Sequence, residues 1–480
     1  MILLNYFYLI SNKKIKSIEL SKYILKKIEN SFNYNFFINF NYKYIIKQSL
    51  YSDIVIKKKL NSILTGIPVI YKDILKTKFL NTTAGSRILK NYKSPYNATI
   101  INRLKNKYAV NFGKSNMDEF GVGSWNKNFY YGLPKNNFNK NLSCGGSSGG
   151  STYLVSKNLI PVALSSDTGG STRQPAYLCG LIGFKSTYGR LSRYGMISYS
   201  SSMDTIGFIC KDIISLSIFL NCICGFDVKD STSINLNYED YSRYINKNWL
   251  LNKINSKKSL EGLKIGISKI FFNNYIDFLI RSDFEYVLNI FEILGAKIIF
   301  LYIFFFNFIQ TLYYIISSSE IYSNLSRYKN FLYKFNYFNK NKNYINKDFD
   351  FNSKLKLKIL LGSYLLFNDK NKKYFFFSKK IRRFITENFK KIFSICDIIL
   401  SPILPSVSLK NNLKNNFNIF EELYMSISNI TGLPSAVVSI INKKKSFLKK
   451  PKGFQIISNY FKEARIIQII NEFKKATNDN

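Results

Sequence analysis

Histidine is absent from all 480 positions. That absence excludes mechanisms in which an imidazole carries the proton, the Ser-His-Asp and Cys-His arrangements among them, unless another chain lends one. Cysteine is scarce, with six residues at 144, 179, 210, 222, 224 and 396 and no C-x-x-C pair. Cys222 and Cys224 lack a second pair to complete a zinc site, so free thiols, a reducing cytoplasm and no metal are expected. No basic residue precedes the apolar start "MILLNYFYLI", and no small-residue cleavage site follows it. That argues against a secretory signal, and the lack of arginine before Arg87 argues against a transit peptide.

Acidic residues are also few. Asp and Glu number 29 against 70 Lys and Arg, a formal charge of +41. Such an excess favours polyanions through counterion release. Yet Lys, Asn, Ile, Phe and Tyr all have AT-rich codons, and few of the lysines gather into blocks of five or more. A charge loaded by codon bias identifies no partner. One long uncharged run, "IIFLYIFFFNFIQTLYYII" (298–316), is just long enough to span a bilayer. Asn307, Gln310 and Thr311 interrupt it and Gly295 punctuates its approach, so a buried strand over 298–303 running into a buried helix is expected instead.

What is present suits a large globular core, with 46 % hydrophobic residues. Segment 14–30 spaces Ile15, Ile18, Leu20, Ile24 and Ile28 near helical periodicity. "TGIPVIYKDI" (65–74) and "YAVNFGKSNM" (108–117) read as short apolar strands. A strand within 259–270 precedes a helix at 282–294; "CDIILSPILP" (396–405) is another strand, and 453–473 a strand with a closing helix. Strands alternating with helices indicate an α/β fold. The tract 329–350, rich in Asn, Lys, Tyr and Phe, reads as a low-complexity insertion.

Of 24 glycines, 15 fall between Gly113 and Gly207, which marks where backbone approaches a ligand. Residues 142–151, "LSCGGSSGGS", hold four of them with four serines. "GGSSG" (145–149) satisfies the G-x-S-x-G pattern, but that nucleophile elbow needs a histidine. A phosphate-binding G-x-x-x-x-G-K-[ST] is missing, and "DTG" (167–169) has no second copy to make an aspartic-protease pair. A flexible linker is weakened by the second Gly-Ser patch, "SSDTGGSTRQP", about 24 residues on; the two patches suit opposite walls of one pocket. Without imidazole, the base for a serine must be lysine, carboxylate, tyrosine or cysteine. Lys72 and Lys114 each follow an apolar run and are plausible buried, neutral amines. The residues alone choose neither between these lysines nor between the serines.

"GIPVIYKD", "CGGSSGGS" and "SSDTGGSTRQPA" resemble the amidase signature family. The resemblance implies a central mixed, twisted β-sheet covered by helices on both faces, with one domain over 1–480: a core at about 60–230, the remaining sheet and pocket at about 255–475, and the insertion at 329–350. It implies a Ser–cis-Ser–Lys triad at Lys72, Ser147 and Ser171, with a cis peptide at Gly146–Ser147. The oxyanion hole falls to the amides of Thr168, Gly169 and Gly170 up to Ser171, and supporting roles to Asp167 and Arg173. "GKSNMDEFGVGS", "YGRLSRYGMISYSSSMDTIG", "FDVKDSTS" and "YYIISSSEIYSNLSRY" further resemble one branch, the A subunits of glutamyl-tRNA(Gln) amidotransferases. That branch implies glutamine as substrate, bound by Tyr314, by Lys358 where the family usually has arginine, and by Glu422 where it usually has aspartate. It also implies a heterotrimer with B and C subunits, charged tRNA handled through the partner, and ATP and Mg used there, with no cofactor in this chain. A stand-alone amidase for small amides and a non-catalytic basic nucleic-acid-binding protein are the competing expectations.

Overall fold

The computed structural model describes residues 2–127, 130–246, 258–272, 276–328, 351–367, 369–405, 422–440 and 451–477. The low-complexity tract expected at 329–350 lies outside them.

Eleven strands form one sheet. In chain order they are β1 (Phe37–Asn39), β2 (Pro68–Lys72), β3 (Val110–Ser115), β4 (Val162–Asp167), β5 (Ile182–Lys185), β6 (Thr205–Cys210), β7 (Lys264–Ser268), β8 (Lys297–Leu301), β9 (Ile398–Ser401), β10 (Ser435–Ile440) and β11 (Lys452–Ser458). Their spatial order is β1-β3-β2-β4-β6-β5-β10-β11-β9-β7-β8. The sheet is mixed: β3, β2 and β4 run parallel, as do β9, β7 and β8, while the strands between them pair antiparallel. The fold is therefore α/β, with helices packed over both faces of the sheet. Strands β2 to β6 are buried along their whole length; apolar residues begin β2 and β4, and the polar ones gather at their carboxyl ends, Lys72 and Ser165–Asp167.

The amphipathic segment forms the helix Ser17–Glu29, which turns Leu20, Ile24, Leu25 and Ile28 inward. The uncharged run at 298–316 divides into β8 and the start of the helix Ile309–Ser326. Among the described residues no helix is long and apolar enough to cross a membrane.

Two features of this topology position the site. β2 and β4 are adjacent and parallel, with Val69 opposite Val162 and Tyr71 opposite Leu164. Their carboxyl ends, Lys72 and Asp167, therefore emerge side by side. In open α/β sheets that edge is where ligands bind.

Candidate active site

Lys72 is the last residue of β2 and is fully buried. Its Nζ donates to Ser147 Oγ at 2.7 Å and to Ser166 Oγ at 2.9 Å. Burial lowers the amine to about 7, against the pull of Asp118, Asp167 and Asp204. Lys114, the other amine that sequence left open, is also buried, but it pairs with the Asp73 carboxylate at 2.9 Å and donates to the Leu75 carbonyl. Lys72 has no ion pair among the described residues, and its contacts are hydroxyls and a carbonyl.

Ser147 follows a cis peptide bond from Gly146. Its carbonyl accepts from the Asp118 amide at 3.1 Å. Asp118 is buried against this loop and accepts from the Asn126 amide at 2.9 Å. Burial lifts its carboxyl to about 6, with Lys354 pulling the other way.

Ser171 sits on the loop between β4 and the short helix Arg173–Leu178. It is partly accessible, whereas its neighbours are buried. Among the described residues its hydroxyl makes no hydrogen bond, so the structure joins Lys72 to Ser147 but leaves the second link to Ser171 open. The loop itself is fixed from below. Arg173 grips Asp167 through Nε to Oδ2 at 3.0 Å and Nη2 to Oδ1 at 2.8 Å, with both side chains fully buried. Burial alone would raise the Asp167 carboxyl, but the Arg173 charge and hydrogen bonds hold it well below the usual carboxylate range. Arg173 also donates to the Met425 carbonyl, Gln455 and Asn429, tying the loop to elements more than 250 residues away.

The amides expected to face an oxyanion divide. The Gly170 N–H donates to Asp167 Oδ1 at 2.9 Å. This corrects the expectation for Gly170, because a two-oxygen carboxylate at the base of the turn already occupies its amide. Thr168 is anchored through its hydroxyl to Asp204 Oδ1 at 2.6 Å. Glycine is required at both 169 and 170: a Cβ at Gly169 would stand 2.5 Å from the Tyr313 ring, and Gly170 has φ +112° with Met425 Sδ 2.7 Å from such a Cβ.

Beside this loop lies a pocket of about 60 Å³ lined by Tyr199, Tyr313, Tyr314, Lys354, Lys358 and Glu422, together with the turn 121–123. It reaches the other loop as well, since a Cβ on Gly121 would lie 3.7 Å from Ser147 Oγ. All three residues assigned to substrate, Tyr314, Lys358 and Glu422, line this one pocket. Lys358 Nζ donates to Tyr199 Oη and to Ser317 Oγ and lies 4.7–5.2 Å from the ring centres of Tyr199, Tyr313 and Tyr314. Glu422 Oε1 accepts from Ser124, while its buried Oε2 has no hydrogen-bond partner among the described residues. No ion pair joins Lys358 to Glu422 among the described residues, so opposite charges face one cavity without cancelling.

The chain matches the family model described as Amidase over residues 19–467. The chain belongs to the amidase family. Among curated relatives, the A subunit of glutamyl-tRNA(Gln) amidotransferase from Legionella pneumophila is 36 % identical over 97 % of this chain and 95 % of its own length. That of Coxiella burnetii is also 36 % identical with the same coverage. The crystal structure of the glutamyl-tRNA(Gln) amidotransferase A subunit from Thermotoga maritima superposes with a TM-score of 0.77 at 28 % identity, covering 96 % of this chain and 91 % of that one. A bacterial aryl acylamidase superposes with a TM-score of 0.83 at 19 % identity over 98 % and 95 % of the two chains, which speaks to fold alone.

Within this amidase fold, sequence reasoning missed Ser166, Tyr199, Tyr313 and Ser124. Ser166 had one available signal. Successive residues of a strand face opposite sides. Ser165 turns to Thr172 at 2.8 Å, so Ser166 must turn the other way, toward Lys72.

Proposed function

We propose that this chain is the glutaminase subunit of a tRNA-dependent amidotransferase. It hydrolyses glutamine and supplies ammonia for converting Glu-tRNA(Gln) to Gln-tRNA(Gln), and also serves Asp-tRNA(Asn) where its partner accepts that tRNA. One observation carries the reading: a buried amine lowered to about 7 holds a serine hydroxyl beside a pocket lined by two lysines, Lys354 and Lys358, and one glutamate, Glu422. Free glutamine brings an α-carboxylate and an α-ammonium, and Lys358 and Glu422 offer the two counter-charges.

In the reaction the neutral Lys72 amine accepts the proton of Ser147, whose oxygen accepts the proton of Ser171. Ser171 Oγ bonds to the side-chain amide carbon of glutamine. The C–N bond then breaks, the proton returns along the relay to the departing nitrogen, and ammonia leaves. Water adds to the resulting ester and passes its proton by the same route to Ser171 Oγ, releasing glutamate. The relay requires the Ser171 hydroxyl to come within reach of Ser147 when substrate binds, and catalytic hydrogen bonds commonly tighten at that stage. On this reading the amides of Thr168, Gly169 and Ser171 serve the developing oxyanion, where one donor is worth about 3–4 kcal/mol.

Ammonia passes to the B subunit, which uses ATP and Mg to activate the charged tRNA, and a small C subunit holds the two together in the cytoplasm. The full-length relatives named as A subunits support this assignment. The test is glutamine turnover by the purified chain with and without the B and C subunits, together with mass spectrometry after exposure to a glutamine-like electrophile. The expected result is an adduct on Ser171 and turnover that rises on assembly. Equal turnover of simple aryl amides by the chain alone would instead mark a stand-alone amidase.

A further inference from the structure

At the β8 end of the sheet the surface is aromatic rather than polar. Tyr302, Phe304, Phe305 and Phe308 follow β8 and are 74, 50, 41 and 54 % exposed. Phe384, 60 % exposed, reaches them from the helix Asp369–Ile395, with its ring centre 5.5 Å from that of Phe305. Phe305 in turn lies 6.1 Å from Phe308, and Tyr302 lies 4.8 Å from Phe304. These rings leave about 560 Å² of aromatic surface in water, taking about 200 Å² for a whole ring side chain. Contiguous apolar patches of that size on soluble chains mark interaction sites.

The helix explains why the patch exists. It buries Ile385, Phe389 and Ile392 against the core. Its solvent side carries Phe377, Lys380 and Phe384 at i, i+3 and i+7, with Arg383 alongside. Lys380 and Arg383 are exposed on the helix that carries Phe377 and Phe384, and the nearest acid on that helix, Glu387, is taken by Lys390 at 3.0 Å. The surface thus has an aromatic centre and a basic rim, the anatomy of a protein–protein interface.

We propose that this patch docks the amidotransferase partner, a protein chain presenting an apolar centre bordered by carboxylates. The inference rests on the functional reading above, which requires a partner. Charge complementarity selects that occupant: a second copy of this chain would set the same exposed cations, Lys380 and Arg383, against each other. An RNA would find phosphate-binding cations only at the border, with packed phenylalanines in the middle.

The test uses the full-length chain with its B and C subunits from the same source. Phe305→Ser with Phe384→Ser removes the centre, and Lys380→Glu with Arg383→Glu reverses the rim. Both pairs are exposed and distant from Ser171 in the chain, so melting temperature and residual glutaminase activity of the isolated chain should match the parent. The expected result is at least tenfold weaker assembly for the aromatic pair, measured by titration calorimetry or sedimentation. The rim pair should weaken assembly and flatten its salt dependence. Parental and variant chains assembling equally would overturn the surface while leaving the functional reading intact. A parental chain that fails to assemble with those subunits at all would overturn both. Loss of self-association or of tRNA binding in the variants, with assembly of the heterotrimer unchanged, would reassign the patch to those occupants and overturn the proposal.

Discussion

Lys72 Nζ stands 2.7 Å from the hydroxyl of Ser147, a residue 75 positions further along the chain. On the proposed reading, an amine at the end of a central strand takes the part that imidazole would take in a protein that had any. Burial makes this workable by removing the water that keeps a lysine charged. The nearby carboxylates of Asp118, Asp167 and Asp204 limit the shift, so the amine stops at about 7 instead of falling further.

A pH profile checks this directly. Only the neutral amine accepts a proton, so kcat/KM for glutamine should rise with pH up to about 7 and level off above it. Below that limb the rate should fall tenfold per pH unit. Lys72→Met should remove the limb and at least 100-fold of the rate, as expected for loss of a general base. A limb unaffected by the substitution would assign it to another group.

Ser166 gives a second, finer test. Its Oγ accepts from Lys72 at 2.9 Å, beside the 2.7 Å bond to Ser147. Ser166→Ala should lower kcat while leaving KM for glutamine nearly unchanged, because the residue touches the lysine and not the pocket. The charged amine loses an acceptor, so its pKa falls and the acid limb moves to lower pH. Ser166→Thr should restore both. A purely structural role would change neither the limb nor the response to threonine.

The sequence made the two loops legible because glycine and serine stand out in a chain of lysine and aromatics. The strands at 65–74 and 108–117 were legible for a related reason: an apolar run buried on both faces needs no alternation to be recognised. The choice between Lys72 and Lys114 was not, since both follow such runs. It is decided by Asp73, whose carboxylate lies against Lys114 and not against Lys72. The contacts of Arg173 with Asn429 and Gln455 span more than 250 residues, and no local pattern announces them. Gly170 misled for a similar reason: its position in the turn was readable, but the direction of its N–H depends on the Asp167 carboxylate beneath it.

The Asp167–Arg173 pair carries a stability prediction. Arg173→Met would leave a fully buried carboxylate without its cation, a loss of about 3–5 kcal/mol for a broken buried pair. Thermal and urea denaturation should show it, and activity should fall with it because the same turn carries Ser171. The pH dependence has a definite sign. Asp167 has a folded-state pKa below its unfolded value of about 3.9, so its contribution is fully present above that value. It is lost only as pH falls from about 4 toward the lower folded value. The parent should therefore hold its stability down to mildly acidic pH as far as this pair is concerned, and the variant should instead gain stability as acid protonates its orphaned carboxylate.

The pocket's single carboxylate makes the last prediction, and it separates glutamine from other amides. Glu422 Oε2 is buried without a hydrogen-bond partner among the described residues, while Oε1 is held by Ser124. An α-ammonium at Oε2 would satisfy that oxygen, a charge-assisted contact worth about 1.5–3 kcal/mol. Glu422→Gln keeps the size of the side chain and a carbonyl oxygen for Ser124 but removes the charge. KM for glutamine should then rise about tenfold to 100-fold, with kcat changed much less, because the contact is made equally before and during bond breaking. An N-acetylated glutamine, which has no ammonium, should be turned over poorly by the parent, and the substitution should leave its KM unchanged. Equal increases for both substrates would mean that Glu422 merely shapes the pocket, and the zwitterion assignment would fall with it.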